Sequence, residues 1–219
     1  MGREIDLLRN YPKSKRDLSG RLESKTDAVR AIARQFGKAF FDGDREHGYG
    51  GFNYHPRFWQ PVVPDLMSHF ALQENSSVLD VGCAKGFMLY DLLNAMPNLN
   101  IHGVDISDYA LEHAITEVKP FVTKACASNL PFENNSFDAV ISINTIHNLE
   151  EDACAQALQE IERVSAGNSF ITVDAYRNDD EKKRMEAWNL TAKTMKHVDE
   201  WKSFFNKVGY SGDYYWFIP

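Results

Sequence analysis

"VLDVGCAKGF", residues 78–87, is the stretch on which the reading of this chain turns. An apolar run carries a carboxylate, Asp80, and then meets a turn bracketed by Gly82 and Gly86, after which apolar residues recur at helical spacing. A buried strand feeding a helix has this composition, because glycine permits backbone angles that side chains resist and lets a ligand approach the main chain. The start of the next helix presents free N–H groups and a positive dipole end, which suit a carboxylate or phosphate. The spacing is not that of the dinucleotide fingerprint: a G-x-G-x-x-G run would need glycine where Ala84 and Phe87 stand. A nicotinamide cofactor is therefore disfavoured.

Outward from this turn, the order of elements is regular. Strand-like runs lie at 77–81, 100–104, 121–125, 137–143 and 169–175, with helical patterns at 85–96, 107–118 and 150–165 between them. Alternation of this kind predicts an α/β fold, a doubly wound and mostly parallel sheet with helices on both faces. A long helical stretch is expected near 180–207, followed by "DYYWFI" at 213–218 as an edge strand. With no further strand after it, the sheet is expected to be shortened at that edge, or completed by a neighbour in a homodimer. Ahead of the sheet, residues 24–41 and 57–72 read as two amphipathic helices. The division expected is a basic arm at 1–23, a helical cap or lid at 24–75 and the sheet-bearing core at 76–219.

Composition narrows the class. The chain has 219 residues, of which 43% are hydrophobic and 25% charged, proportions that suit a globular protein with a core of its own. It contains no apolar run long enough to span a bilayer. The start, "MGREIDLLRNYPKSKRD", lacks a secretory apolar block, and Asp6 stands where a myristoylation signal needs Ser or Thr. Three cysteines, Cys83, Cys126 and Cys154, lie without C-x-x-C spacing, so neither a disulfide framework nor a metal site is indicated and a cytoplasmic setting is expected. Residues 1–34 carry nine Lys and Arg against five Asp and Glu, while the whole chain stands at −7. Such an arm is expected to be a solvated segment that packs on its own acidic body or on a partner subunit. Tyr11 is its single aromatic residue, so base stacking is poorly served and nucleic acid is disfavoured as a partner.

The second strand pattern ends in Asp105, nineteen residues beyond Gly86, where a carboxylate can accept both hydroxyls of a ribose. Asp80, Gly82, Gly86 and Asp105 at successive strand ends, followed by "ASNLPFENNSFDAVISINTIHNLE" at 127–150, resemble the class I S-adenosylmethionine-dependent methyltransferases, in particular their small-molecule, methyltransferase type 11-like branch. The resemblance covers residues 76–175 and implies a Rossmann-like methyltransferase fold with S-adenosylmethionine as cofactor. It further implies that Asp80 orients the turn and the methionine amine, that Gly82, Ala84 and Gly86 line the methionine, and that Asp105 grips the ribose. Ile106 would lie on the adenine face, with Ala127 and Ser128 at its edge and Asn144 facing the amino-acid part. Two positions depart from the family pattern. Ala84 often is glycine there, and Cys126 replaces an aspartate that accepts from the adenine amino group; a thiol is a poor acceptor.

Methyl transfer is an in-line displacement, so positioning the acceptor can supply much of the catalysis, and a base is needed only where the acceptor must lose a proton. His147, after the fourth strand, is the candidate base or donor. Asp174, Tyr176 and Arg177 leave the fifth strand at the same edge. Upstream, "HGYGGFNYHPRFW" at 47–59 offers Tyr49, Tyr54 and Trp59 as walls and His55 and Arg57 as polar handles for a lid over a small-molecule acceptor. The expected function is methyl transfer to an oxygen or nitrogen of a small polar or anionic molecule. The alternatives are a nucleic-acid methyltransferase and a non-catalytic protein that binds S-adenosylmethionine or S-adenosylhomocysteine.

Overall fold

The computed structural model describes residues 2–12 and 25–219. Lys13, Lys15, Arg16 and Arg21 of the basic arm lie outside the described residues. Strands β1 (Ser77–Val81), β2 (Asn100–Asp105), β3 (Val122–Lys124), β4 (Ala139–Ile143) and β5 (Ser169–Tyr176) form the order β3-β2-β1-β4-β5. Every pairing among them is parallel. A two-residue strand β6 (Lys196–His197) pairs at the C-terminal tip of β5, and β7 (Asp213–Phe217) runs parallel to β5 from Phe170 to Asp174. Residues of β1, β4 and β5 are buried almost throughout, as strands covered on both faces must be. That burial is why these segments read as unbroken apolar runs.

Helices α4 (Phe87–Ala95), α5 (Asp108–Glu112) and α6 (Glu151–Val164) follow β1, β2 and β4. Helix α6 buries Cys154, Ala157, Leu158, Ile161 and Val164, a stripe at helical spacing. Arg163 near its end bonds Glu160 and the carbonyls of Leu130 and Phe132, tying the 130–134 loop to the helix. The expected helix at 107–118 stops at Glu112, where His113 takes non-helical angles, and a 3₁₀ turn at Lys119–Phe121 leads into β3.

The long helix expected near 180–207 is two helices, α7 (Asp179–Trp188) and α8 (Val198–Val208). Asn189 breaks it by closing a loop with Ala192, and His197 and Glu200 then form a capping box that starts α8. Residues 24–41 likewise hold two short helices, α1 (Asp27–Ala33) and α2 (Lys38–Phe41), because Phe36 takes a left-handed φ of 49°. In 57–72 the helix α3 begins only at Val63, with Pro64 in its first turn.

The outer edge of β7 is covered by the chain's own N-terminus. The N–H of Ile5 donates to Tyr214 O and the N–H of Tyr214 donates to Arg3 O. Arg3 pairs with Asp213 and Arg9 with Asp65, so these arm cations are neutralised on the acidic body. Two backbone hydrogen bonds from the N-terminus thus occupy part of the edge expected to be shortened or completed by a neighbour. Among the described residues, no helix is long and apolar enough to cross a membrane.

Candidate active site

The C-terminal ends of β1, β2, β4 and β5 bring Asp80, Asp105, Asn144 and Asp174 to the rim of one cavity of roughly 1770 Å³, more than one small ligand fills. Gly82, Ala84, Ile106, Ala127 and His147 join its wall from the sheet side. Tyr49, Tyr54, His55, Arg57 and Trp59 join from the segment ahead of β1, with Arg177 from beyond β5. Three expected residues are not on the wall. Gly86 caps α4 with a left-handed φ of 76°, and a Cβ there would press 2.6 Å from Val118 Cγ2, so its absence serves packing. Ser128 Oγ turns to Cys126 Sγ at 3.1 Å. Tyr176 is drawn to β6, its ring against His197 and Lys182.

The glycine turn is built by backbone constraint. Gly82 has φ 89°, and a Cβ there would collide with the Thr145 side chain of the post-β4 loop. Ala84 holds a left-handed φ of 49° without being glycine, and Asn144 does the same at 51°. Such angles cost about 1 kcal/mol or more each and cluster where a site dictates the backbone. Asp105 secures the turn: Oδ2 accepts from the Ala84 N–H and Oδ1 from the Ser107 N–H, both at 2.8 Å. Asp80 contrasts with it, being buried on the cavity wall without a hydrogen-bond partner among the described residues. Burial, with a contribution from nearby Asp105, pushes its carboxyl up to about 8.

The segment from 39 to 63 is fastened over this turn. Lys85, buried inside the turn, donates from Nζ to both oxygens of Asp42, at 3.0 and 2.7 Å, and to Phe52 O at 2.8 Å. Asp42 also accepts from the Phe52 N–H and the Tyr109 hydroxyl. Phe52 stacks on Phe87 with centroids 4.8 Å apart, and the Tyr54 hydroxyl donates to Asp91 Oδ1 at 2.6 Å. Sequence reading missed Lys85 and Asp42. The signal was present as a lysine in a turn otherwise made of small residues, but its partner lies 43 residues upstream. Although partial burial opposes ionisation, these bonds hold the Asp42 carboxyl down to about 2. A depressed acid stabilises the fold above its ordinary pKa near 4 and loses that contribution as pH falls through the folded value. The staple is therefore expected to be intact above pH 4 and to loosen between 4 and 2, measurable as tyrosine and tryptophan fluorescence change ahead of global unfolding.

His147 is buried in a 3₁₀ turn after β4, with both ring nitrogens placed. Nδ1 accepts from the Asp174 N–H at 3.1 Å, and Nε2 faces Asp174 Oδ1 at 3.6 Å. Burial pushes the imidazole's pKa down and that of Asp174 up. With Nδ1 accepting from the backbone, the Nε2 edge of His147 is the one turned to the Asp174 carboxyl.

The glycine turn, the acidic residues at successive strand ends and the parallel order define the class I methyltransferase fold. Residues 78–167 match the methyltransferase domain family. The chain is 30% identical over 145 residues to the tRNA (carboxymethyluridine(34)-5-O)-methyltransferase of Arabidopsis thaliana, covering 65% of this chain and 33% of that one. It is 28% identical over 127 residues to the malonyl-[acyl-carrier protein] O-methyltransferase of Legionella pneumophila, covering 56% and 44%. A structure of the Haloferax volcanii Trm112 methyltransferase activator in complex with a methyltransferase matches this fold with a TM-score of 0.57 at 19% identity, covering 84% of this chain and 75% of that one. The chain spans between 33% and 62% of the length of the curated relatives it matches. The matched residues and the fold are those of an S-adenosylmethionine-dependent methyltransferase domain, the class whose cofactor is S-adenosylmethionine. The site fits that cofactor: the Asp80 carboxyl lies on the cavity wall without a hydrogen-bond partner among the described residues, which suits an ammonium. Ile106, 51% exposed on the cavity wall, offers an apolar face to a planar ring.

Proposed function

We propose that the protein is an enzyme that transfers the methyl group of S-adenosylmethionine to an oxygen or nitrogen of a small polar or anionic molecule. The observation that carries this reading is the single cavity, which joins the cofactor-type turn to a separate polar and aromatic wall under the 39–63 segment. In this reading Asp80 holds the methionine ammonium, Asp105 accepts from the ribose hydroxyls, Ile106 and Ala127 flank the adenine, and Asn144 faces the amino-acid part. The cofactor supplies a methyl group made electrophilic by the sulfonium. The protein's part is to fix the acceptor on the methyl–sulfur axis and to exclude water. His147 and Asp174 orient the acceptor as a pair, and Arg57 and Arg177 attract its negative charge. The printed names of the two sequence relatives both specify O-methylation, which favours oxygen.

A second reading comes from the tRNA-directed relative. Against it stand Arg3 and Arg9, two cations of the arm spent on Asp213 and Asp65. Incubation with radiolabelled S-adenosylmethionine, a small-molecule cell extract and bulk tRNA in separate reactions tests the proposal. Label is expected in the small-molecule fraction; label in tRNA alone would replace this reading by the second.

Binding has a pH signature. Asp80, pushed up to about 8, is mostly protonated at pH 7 in the free protein. An ammonium beside it favours the ionised form, so binding is expected to release close to one proton below pH 8 and to tighten as pH rises from 6 to 8. Calorimetry with S-adenosylhomocysteine at pH 7 in buffers of different ionisation heat measures this. Heats independent of buffer would remove Asp80 from the ammonium site.

A further inference from the structure

The cavity wall is divided in its chemistry. Among the described residues, the ends of β1, β2, β4 and β5 put no aromatic ring on it. Its rings come from the segments ahead of the sheet, the start of α4, Trp188 at the end of α7, and β7. Strand β7 is the element that carries rings to the polar end of β5. The two strands pair in parallel, with Thr172 beside Tyr215 and Asp174 beside Phe217. Side chains two apart on a strand share a face, and paired residues of neighbouring strands lie about 4.8 Å apart on that face. Thr172, Asp174, Tyr215 and Phe217 therefore stand together, and all four line the cavity.

The polar flank of this face is tied to the site. Thr172 Oγ1 donates to Asn144 Oδ1 at 2.8 Å, and Asp174 Oδ1 faces His147 Nε2 at 3.6 Å. On the other flank, Trp188 extends the row of rings, its centroid 5.4 Å from that of Phe217 with the planes tilted by 41°. Lys25 Nζ donates to the Trp188 carbonyl and holds the end of α7 there. Tyr215, Phe217 and Trp188 are all only partly buried.

We infer that the methyl acceptor carries an aromatic ring, seated on Phe217, Trp188 and Tyr215, with its accepting atom turned toward Asp174 and His147. This rests on the methyl-transfer reading above. A flat molecule with its oxygen or nitrogen on one edge matches a row of rings that has polar groups along one flank. Offset or edge-on ring pairs add about two- to tenfold in affinity beyond the area they bury, a gain that an aliphatic acceptor of equal size forgoes.

Saturation-transfer NMR on the full chain with S-adenosylhomocysteine bound tests this without turnover. Phenol is expected to bind about two- to tenfold more strongly than cyclohexanol, which has the same skeleton without the π-system. The double variant Phe217→Leu/Trp188→Leu keeps apolar bulk and removes both rings. It is expected to lose the preference while its affinity for S-adenosylhomocysteine stays at the wild-type value. Equal binding of the two probes to wild type, or a preference that survives in the double variant, overturns the inference. Turnover separates it from the reading on which it rests. With S-adenosylmethionine tritiated in its methyl group and a deproteinised small-molecule extract of the source organism, the labelled product is expected to show an aromatic ring by ultraviolet absorbance and mass spectrometry. Label in an aliphatic product overturns the inference and leaves methyl transfer standing. No transferred label, while S-adenosylhomocysteine still binds, overturns both. For the acceptor so identified, Phe217→Leu is expected to raise KM by about two- to tenfold, more than it lowers kcat, and Phe217→Tyr to restore most of the loss. A KM unmoved by Phe217→Leu contradicts the inference.

Discussion

Asp105→Ala is expected to weaken S-adenosylhomocysteine binding by about ten- to a hundredfold, the loss of one or two charge-assisted hydrogen bonds worth roughly 1.5–3 kcal/mol. The proposed ribose contact is only part of the reason. Asp105 also holds the Ala84 and Ser107 N–H groups, and Ala84 sits at a left-handed angle that it would leave if released. Loss of the carboxylate therefore removes a ligand contact and loosens the turn that makes others. Asp105→Asn separates the two effects. Its amide oxygen can keep one N–H, so the turn should survive while the charge is gone, and affinity should fall between wild type and Asp105→Ala. Isothermal titration on variants whose melting curves match wild type measures both. Equal affinity for all three proteins would remove Asp105 from the cofactor site.

The second large effect is expected at Lys85. Lys85→Met keeps the aliphatic stem and deletes the ammonium, leaving Asp42 with only the Phe52 N–H and the Tyr109 hydroxyl. Removing one partner of a fully buried pair costs about 3–5 kcal/mol, because the other charge is left uncompensated. The Asp42 side chain keeps 22% of its exposure, so water recovers part of that loss; about 2 kcal/mol is expected, or roughly a 4–8 °C lower midpoint at this chain length. Residues 43–51 should become sensitive to protease before the sheet unfolds, since Lys85 also holds Phe52 O. The double variant Lys85→Met/Asp42→Asn should recover much of the stability, because no charge is then stranded. A double variant less stable than Lys85→Met would show that the pair is not the staple described.

What the sequence made legible follows from distance along the chain. The strands, the glycine turn and the Asp105 position are local patterns, and periodicity exposed them because β1, β4 and β5 are buried on both faces. The helices near 24–41 and 180–207 were misread as continuous. Their breaks depend on a left-handed angle at Phe36 and on the Asn189–Ala192 loop, neither of which disturbs apolar spacing. Gly86 showed the reverse error. Its glycine signal was real, but the reason is Val118 across the turn, which no local pattern reveals. His147 is marked by its place after β4, while the setting of its ring depends on a backbone N–H from β5, 27 residues away. The Lys85–Asp42 staple and the N-terminal cover on β7 join segments 43 and about 210 residues apart, and pairing over such spans is set by topology.

Titration of the wild-type protein with S-adenosylhomocysteine, with NADH as control, tests the account most directly. One site per chain with no heat from NADH is the predicted result, and it would justify the acceptor experiments. A folded protein that binds NADH, or binds neither compound even with the small-molecule extract present, would contradict the cofactor site on which the proposed function stands.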